Sequence, residues 1–348
     1  LGLGLSEKKI IEGEYEQSDI SIKFNSWEKV FQELQANRDN LEIEIYTSGT
    51  TGRPKNVSQT FKNITRAIKQ KASLKSNVWA FAYNATHFAG LQVFFQGFFN
   101  KNTLVYVFKK DYKNVYENFL ENKVSHLSCT PTFMKMFLPN IKNPLNDLVN
   151  LTFGGEKFDT KMVDRIKVKF PNAIIKNVYA STEAGSLLRA EGEYFIIPHR
   201  YKELIKIKDN EIQIHKELLG KSKSFELQGD WYKTGDIVEF LDTQKFKFKD
   251  RKSEMINVGG YKVNPSEVES VIKSINGVKD AIVFGLKNSV LGYIVVANII
   301  KEESVDKKEL KFAINTITKE QLQEYKLPRI IKFVDNFKLT RTGKLKKQ

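Results

Sequence analysis

Between Tyr46 and Lys55 the chain reads YTSGTTGRPK. Thr47, Ser48, Thr50 and Thr51 supply hydroxyls, and Lys55 adds a point positive charge. Gly49 and Gly52 let the backbone turn back and approach a ligand closely. Backbone N–H groups and hydroxyls gathered around an anion suit phosphate. The stretch is not a common P-loop, which needs four residues between its first Gly and a closing Gly-Lys-Ser/Thr. Here two residues separate Gly49 from Gly52, and Asn56 follows Lys55. A polar surface turn is the competing reading.

Downstream motifs decide between the two. TFGGEKF places Gly154, Gly155 and Glu156 at the end of an apolar run. YASTEAG offers Tyr179 to stack on a base and Glu183 to hold Mg2+, which prefers a carboxylate together with phosphate oxygens. WYKTGDIV sets Asp236 after a glycine, where it could accept hydrogen bonds from ribose hydroxyls. Each motif alone is as well read as a turn. Together they carry phosphate-, metal- and sugar-directed groups on loops that an α/β sheet gathers at the carboxyl ends of its strands.

The elements that would position them follow from periodicity. Residues 43–46 read as a strand, Ser58 as an N-cap, and Phe61, Ile64 and Ile68 as one face of the following helix. Thr103–Phe108, His126–Thr130, Asn150–Glu156 and 173–181 read as strands, with helices at 112–123, after Pro131 and at 159–170. Strands alternating with helices predict an α/β sheet. From about Tyr194 the pattern becomes one of antiparallel hairpins, turning at Asp209–Asn210 and Asp242–Thr243. The tail opens with Asn264 as N-cap, Pro265 at the first helical position and Glu267 in the first turn. Val268, Val271, Ile272 and Ile275 form its apolar face, and Gly277 ends it. Strands at 280–286, 293–300 and 330–335 and a helix near 306–323 complete an α+β unit. The expected boundary falls near Arg251–Glu254, giving domains 1–252 and 253–348.

Composition narrows the class. With 348 residues and 41% apolar content the chain can bury a large core. The net charge of +15 is spread as single and paired lysines, without the aromatic-interleaved basic block that nucleic-acid binding favours. No nucleic-acid partner is expected, while the charge would draw in small anions. The single cysteine, Cys129, fits a reducing, cytoplasmic setting. Residues 1–17 lack a basic stretch followed by a long apolar run, so they do not read as a signal peptide. The most apolar window, 79–99, is broken by Asn84, Thr86, His87 and Gln92, so no membrane span is expected.

Taken together, these motifs resemble the adenylate-forming superfamily of acyl-CoA synthetases, adenylation domains and luciferases. YTSGTTGRPK resembles its phosphate loop, YASTE its adenine and magnesium motif, and YKTGD its ribose motif. Residues 250–269, DRKSEMINVGGYKVNPSEVE, resemble its hinge and the start of its C-terminal domain, and LTRTGKLKK its terminal catalytic-lysine motif. The resemblance implies a multi-subdomain α/β body with a small mobile α+β C-terminal domain. It implies activation of a carboxylic acid by ATP and Mg2+, release of pyrophosphate, and transfer of the acyl group to a thiol. In that scheme Lys344 bridges the carboxylate and the α-phosphate, and Thr182 and Glu183 hold the metal. Lys55 and the loop hydroxyls grip the outer phosphates, Asp236 and Arg251 the ribose, and Tyr179 the adenine. Ser253 is the hinge, Gly259 and Gly260 admit the thiol, and His87, Phe88 and Gly90 shape the acyl pocket.

Several positions depart from the family pattern. Asn56 replaces a usual Gly, Asp250 a usual Gly, Ser253 a frequent hinge Asp, and Lys338 a frequent Pro. Members usually carry a longer segment before the phosphate loop, so the expectation includes a partner or self-association completing the acyl site. The acceptor is expected to be CoA, in the manner of short aryl-CoA ligases such as o-succinylbenzoate–CoA ligases. An acyl carrier protein is the alternative, and a degenerate nucleotide-binding regulatory module is the reading from a different class.

Overall fold

The computed structural model describes residues 26–47, 55–108, 110–158, 160–252, 255–259 and 261–338. The chain divides into two compact units, residues 1–206 with 214–233, and residues 207–213 with 234–348.

In the first unit, helix α1 (Trp27–Ala36) starts at Ser26, whose hydroxyl accepts from Lys29 N. Strands β1 (Glu42–Thr47) and β2 (Lys55–Thr60) then pair antiparallel. Here the structure corrects the sequence reading. Ser58 is not a helix cap but a strand residue, opposite Glu44 and bridged to Lys221. Val57 and Gln59 are buried while Asn56, Ser58 and Thr60 are more open, which is a period of two. Thr60 caps the helix instead, accepting from Asn63 N, and α2 spans only Phe61–Thr65.

The strands β3 (Val78–Phe81), β4 (Thr103–Tyr106), β5 (His126–Cys129), β6 (Asn150–Gly154), β7 (Ile174–Ser181) and β8 (Gly185–Ala190) form one sheet. Its order is β4-β3-β5-β6-β7-β8, parallel throughout except for β8. Helices α3 (Phe88–Asn100), α4 (Tyr112–Glu121), α5 (Pro131–Phe137) and α6 (Val163–Lys169) make the connections, as the alternating pattern predicts. The order turns back between β3 and β5, so the crevice for a ligand opens beyond their carboxyl ends. Leu127, Cys129, Leu151 and Phe153 of the central strands are buried against Phe119, Met134, Phe137, Ile166 and Phe170. A second cluster joins Ile45, Phe61, Ile64, Phe88, Phe95 and Phe99, tying the β1–β2 hairpin to α2 and α3.

Strands β9 (Ile205–Lys208) and β10 (Glu211–His215) flank a turn in which Asp209 and Asn210 both take left-handed φ, 53° and 58°. That is the primed turn their types favour. Strand β11 (Leu227–Gln228) turns into β12 (Trp231–Phe240), which pairs antiparallel with β13 (Phe246–Arg251). The Asp242 carboxylate closes that turn by accepting from Gln244 N and Lys245 N.

In the second unit, β14 (Ile256–Val258), β15 (Tyr261–Val263), α7 (Pro265–Lys273), β16 (Val278–Asn288), β17 (Gly292–Lys301), α8 (Lys307–Gln321) and β18 (Ile330–Phe333) follow in order. The sheet runs β15-β14-β17-β16, with β18 parallel to β17. Asn264 caps α7 by accepting from Ser266 N, and Pro265 takes the first position. The helix ends at Lys273, four residues before Gly277, whose φ of 89° serves the turn into β16. Val268, Ile272, Val283, Val295, Leu310 and Ile314 fill the core between helices and sheet.

One partly buried polar chain crosses the parallel sheet, with His126 its buried member. Lys176 Nζ donates to Asn150 Oδ1, so the Asn150 amide nitrogen faces His126 Nε2. Nε2 must therefore accept, and Nδ1 donates to Ser125 Oγ. Burial, with the Lys176 charge adding, lowers the His126 pKa from 6.5 to about 4. The folded chain then binds fewer protons than the unfolded one between those values, so stability falls as pH drops through that window. Denaturant melts across this range should show the loss, and His126→Gln should flatten it whatever it does to stability at neutral pH.

Candidate active site

Thr47 and Lys55 are paired residues of β1 and β2, so their backbones face each other across the mouth of the hairpin. Ser48, Gly49, Thr50, Thr51 and Gly52 lie outside the described residues, as do Ser253, Gly260 and Lys344.

The carboxyl ends of the parallel strands gather the next motifs. After β6, Gly155 turns with φ 80° and Glu156 reaches across to the end of β5. Its Oε2 accepts from Thr132 N at 3.0 Å and from Thr132 Oγ1 at 2.7 Å. Burial raises the Tyr83 and Cys129 pKa values, and the Glu156 charge pushes both further up. Neither group is a nucleophile at neutral pH. After β3, His87 caps α3, its Nδ1 accepting from Ala89 N at 3.3 Å. Phe88 is buried, and Gly90 packs so tightly that a Cβ there would lie 2.1 Å from the Asn84 carbonyl oxygen.

The Tyr179–Glu183 motif forms the end of β7 and the turn into β8. Tyr179 and Glu183 are half-buried and Thr182 is buried. Three groups the sequence reading missed hold this turn. The side chain of Gln59, fully buried on β2, donates from Nε2 to Thr182 O at 2.7 Å and to Glu183 O at 2.8 Å. Gly220 N donates to Glu183 O at 2.8 Å. Arg66, on the turn after α2, donates to Ala184 O, and burial lowers its pKa. Ser58 and Lys221 exchange backbone hydrogen bonds, and Glu42 accepts from the Ser58 hydroxyl and pairs with Lys221. The phosphate-loop hairpin, the 182–184 turn and residues 220–221 are thus one hydrogen-bonded assembly. A pattern of polar residue in a buried strand slot, Val57-Ser58-Gln59, was the available signal.

In the second unit Asp236 and Arg251 face each other across β12 and β13, with Arg251 Nε 3.2 Å from Asp236 Oδ1. Asp236 is largely buried and Arg251 half exposed. Beside them, buried Glu211 accepts from Gly235 N and pairs with Lys252 at 2.7 Å. Glu211 therefore fixes the Thr234–Gly235 bend that presents Asp236, and nothing in its local sequence marked it. Gly259 turns with φ 57°, and its N–H donates to Leu291 O.

Among the described residues no three His, Cys, Asp or Glu side chains form a metal cluster. Mg2+ takes one or two carboxylates and completes its shell with substrate phosphates and water. Glu183, on a turn tied to the phosphate-loop hairpin, has the donor chemistry for it. Among the described residues no helix is long and apolar enough to cross a membrane.

A parallel sheet with carboxylate- and hydroxyl-bearing loops at its carboxyl edge, followed by a separate α+β unit, is the architecture of an adenylate-forming α/β enzyme. Residues 5–207 match the AMP-binding enzyme family, and residues 267–344 match the AMP-binding enzyme C-terminal domain. The chain belongs to the AMP-binding enzyme family. It is 27% identical over 335 residues to the 2-succinylbenzoate–CoA ligase of Bacillus licheniformis, covering 88% of this chain and 69% of that protein. The Staphylococcus aureus enzyme of the same name is 25% identical over 336 residues, covering 89% and 67%. Among solved structures, ATP-bound MatB from Rhodopseudomonas palustris superposes with a TM-score of 0.70 at 19% identity, covering 89% of this chain and 67% of that one. The Bacillus subtilis o-succinylbenzoate CoA synthetase with its acyl-adenylate gives 0.65 at 24% identity, covering 87% and 67%.

Gly90→Ala tests the packing around the β3–α3 loop. The added methyl meets backbone, which cannot swing away. It should cost about 1–3 kcal/mol by denaturant titration.

Proposed function

We propose that this chain activates an aromatic dicarboxylic acid of the 2-succinylbenzoate type and transfers it to CoA. The chemistry is that of an AMP-forming ligase: a carboxylate attacks the α-phosphate of ATP, pyrophosphate leaves, and the acyl-adenylate is resolved by a thiol. ATP, Mg2+ and CoA are its cosubstrates. The acid is carried over from the curated relatives, and an anionic substrate suits a net charge of +15.

The observation that supports the site assignment is the Gln59 bridge, which joins the strand leaving the phosphate loop to the Thr182–Glu183 turn. In this reading Lys55 and the hydroxyls of residues 47–51 hold the outer phosphates that depart. Glu183 and Thr182 face the metal, Tyr179 the adenine, and the Asp236–Arg251 pair the ribose. Mg2+ supplies neutralisation of the phosphate charge. Lys344 stabilises the approach of one anion to another, which is the main barrier to this reaction. Phe88 and the His87 cap shape the acyl side, and Gly259 and Gly260 form the path for the thiol. The domain division at 252/253 belongs to the same reading, with Ser253 as the hinge.

Pyrophosphate release with Mg-ATP and 2-succinylbenzoate tests this. Lys344→Ala should lower kcat about 10²–10³-fold with little change in the KM for ATP, and Glu183→Gln should raise the Mg2+ requirement. CoA should accelerate turnover and a carrier protein should not. Acid-independent pyrophosphate release, or release indifferent to Lys344→Ala, would contradict it.

A further inference from the structure

We propose that Gln59 is a positioning residue for the adenylation step: its side-chain amide sets the place of Glu183, and so the affinity for Mg2+. The inference rests on the assignment of Glu183 as the metal-facing carboxylate.

Gln59 has no exposed surface, yet its Oε1 is buried with no hydrogen-bond partner among the described residues. Its Nε2 makes both contacts, to Thr182 O and Glu183 O. The amide cannot be turned over, because Oε1 would then face two carbonyl oxygens. A buried acceptor without a partner loses its hydration and gains nothing in return. Leucine would occupy similar volume in this strand slot without that orphan. The glutamine is thus placed at a cost where an apolar residue would pack, and the contacts it gains fall on the two residues of the metal motif.

The surroundings are built to fit this amide. A Cβ on Gly220 would lie 2.6 Å from Gln59 Nε2 and 2.6 Å from Ser58 O. Only glycine lets residues 219–221 lie against β2 while Gly220 N donates to Glu183 O. Glu183 O therefore receives two donors, one from the strand that leaves the phosphate loop and one from the opposite segment. The backbone that carries the Glu183 side chain is thus held from two sides, which fixes the point from which its carboxylate reaches out. Geometry of this kind is what a shared metal–phosphate site requires.

The test is a Mg2+ titration of acid-dependent ATP–pyrophosphate exchange, run on wild type, Gln59→Leu, Gln59→Glu and Gly220→Ala. Phe119→Leu, a core change away from this assembly, serves as a control for lost stability. The proposal expects the Mg2+ concentration at half-maximal rate to rise about ten-fold or more in Gln59→Leu and Gln59→Glu. Gly220→Ala should move in the same direction, the KM for the acid should change less, and Phe119→Leu should stay within about two-fold of wild type. If the Gln59 variants melt earlier but keep the wild-type Mg2+ dependence, Gln59 is a structural residue and the proposal fails. A wild type with no acid-dependent exchange would instead overturn the adenylation reading itself. If Gln59→Leu does not fold, Gln59→Met, which is unbranched like glutamine and has no donor, carries the same titration.

Discussion

A buried amide ties the β1–β2 hairpin to the turn between β7 and β8. Strands β1 and β2 flank the segment read as a phosphate loop, whereas the Tyr179–Glu183 motif ends a strand of a different sheet. Two separate sheets have no backbone ladder in common, so something else must fix their relative place. Gln59 does so from the buried face of β2, and the Ser58–Lys221 and Gly220–Glu183 hydrogen bonds close the same junction. The apolar cluster of Ile45, Phe61, Ile64 and Phe88 lies behind it and supplies the burial that holds the hairpin down. Hydrophobic contact alone is non-directional. The directional groups are what give the junction one geometry.

The same logic recurs at each motif. Glu156 is held by Thr132 in the first turn of α5, so the loop after β6 is anchored to the helix that follows β5. Glu211 braces the Gly235 bend, which leaves Asp236 to pair with Arg251. In each case a carboxylate that accepts from a backbone N–H sets the geometry of a loop carrying candidate site residues. Positive charge is then brought in on loops and on the lysine-rich surface, where it can meet anionic substrates without a buried cost.

The order of motifs and the alternation of strands and helices were legible, because glycine, hydroxyl and carboxylate groups at strand ends are local features. The parallel sheet, the Asp209–Asn210 turn and the Asn264–Pro265 helix start all followed from short-range rules. Ser58 was misread because a hydroxyl before an apolar helical pattern also fits a cap. Its actual partners, Glu44 and Lys221, are 14 and 163 residues away in sequence. Gln59, Gly220 and Glu211 escaped for the same reason. Their meaning lies in contacts such as Gln59 to Thr182, across 123 residues, that no local pattern encodes.

The central claim is that a carboxylate oxygen of the acid bonds to the α-phosphorus of ATP. The most direct measurement uses the acid labelled with 18O in its carboxylate and follows the label by mass spectrometry after turnover with Mg-ATP and CoA. The account predicts one labelled oxygen in AMP and none in the pyrophosphate. Label appearing in inorganic phosphate, with ADP formed in place of AMP, would contradict it.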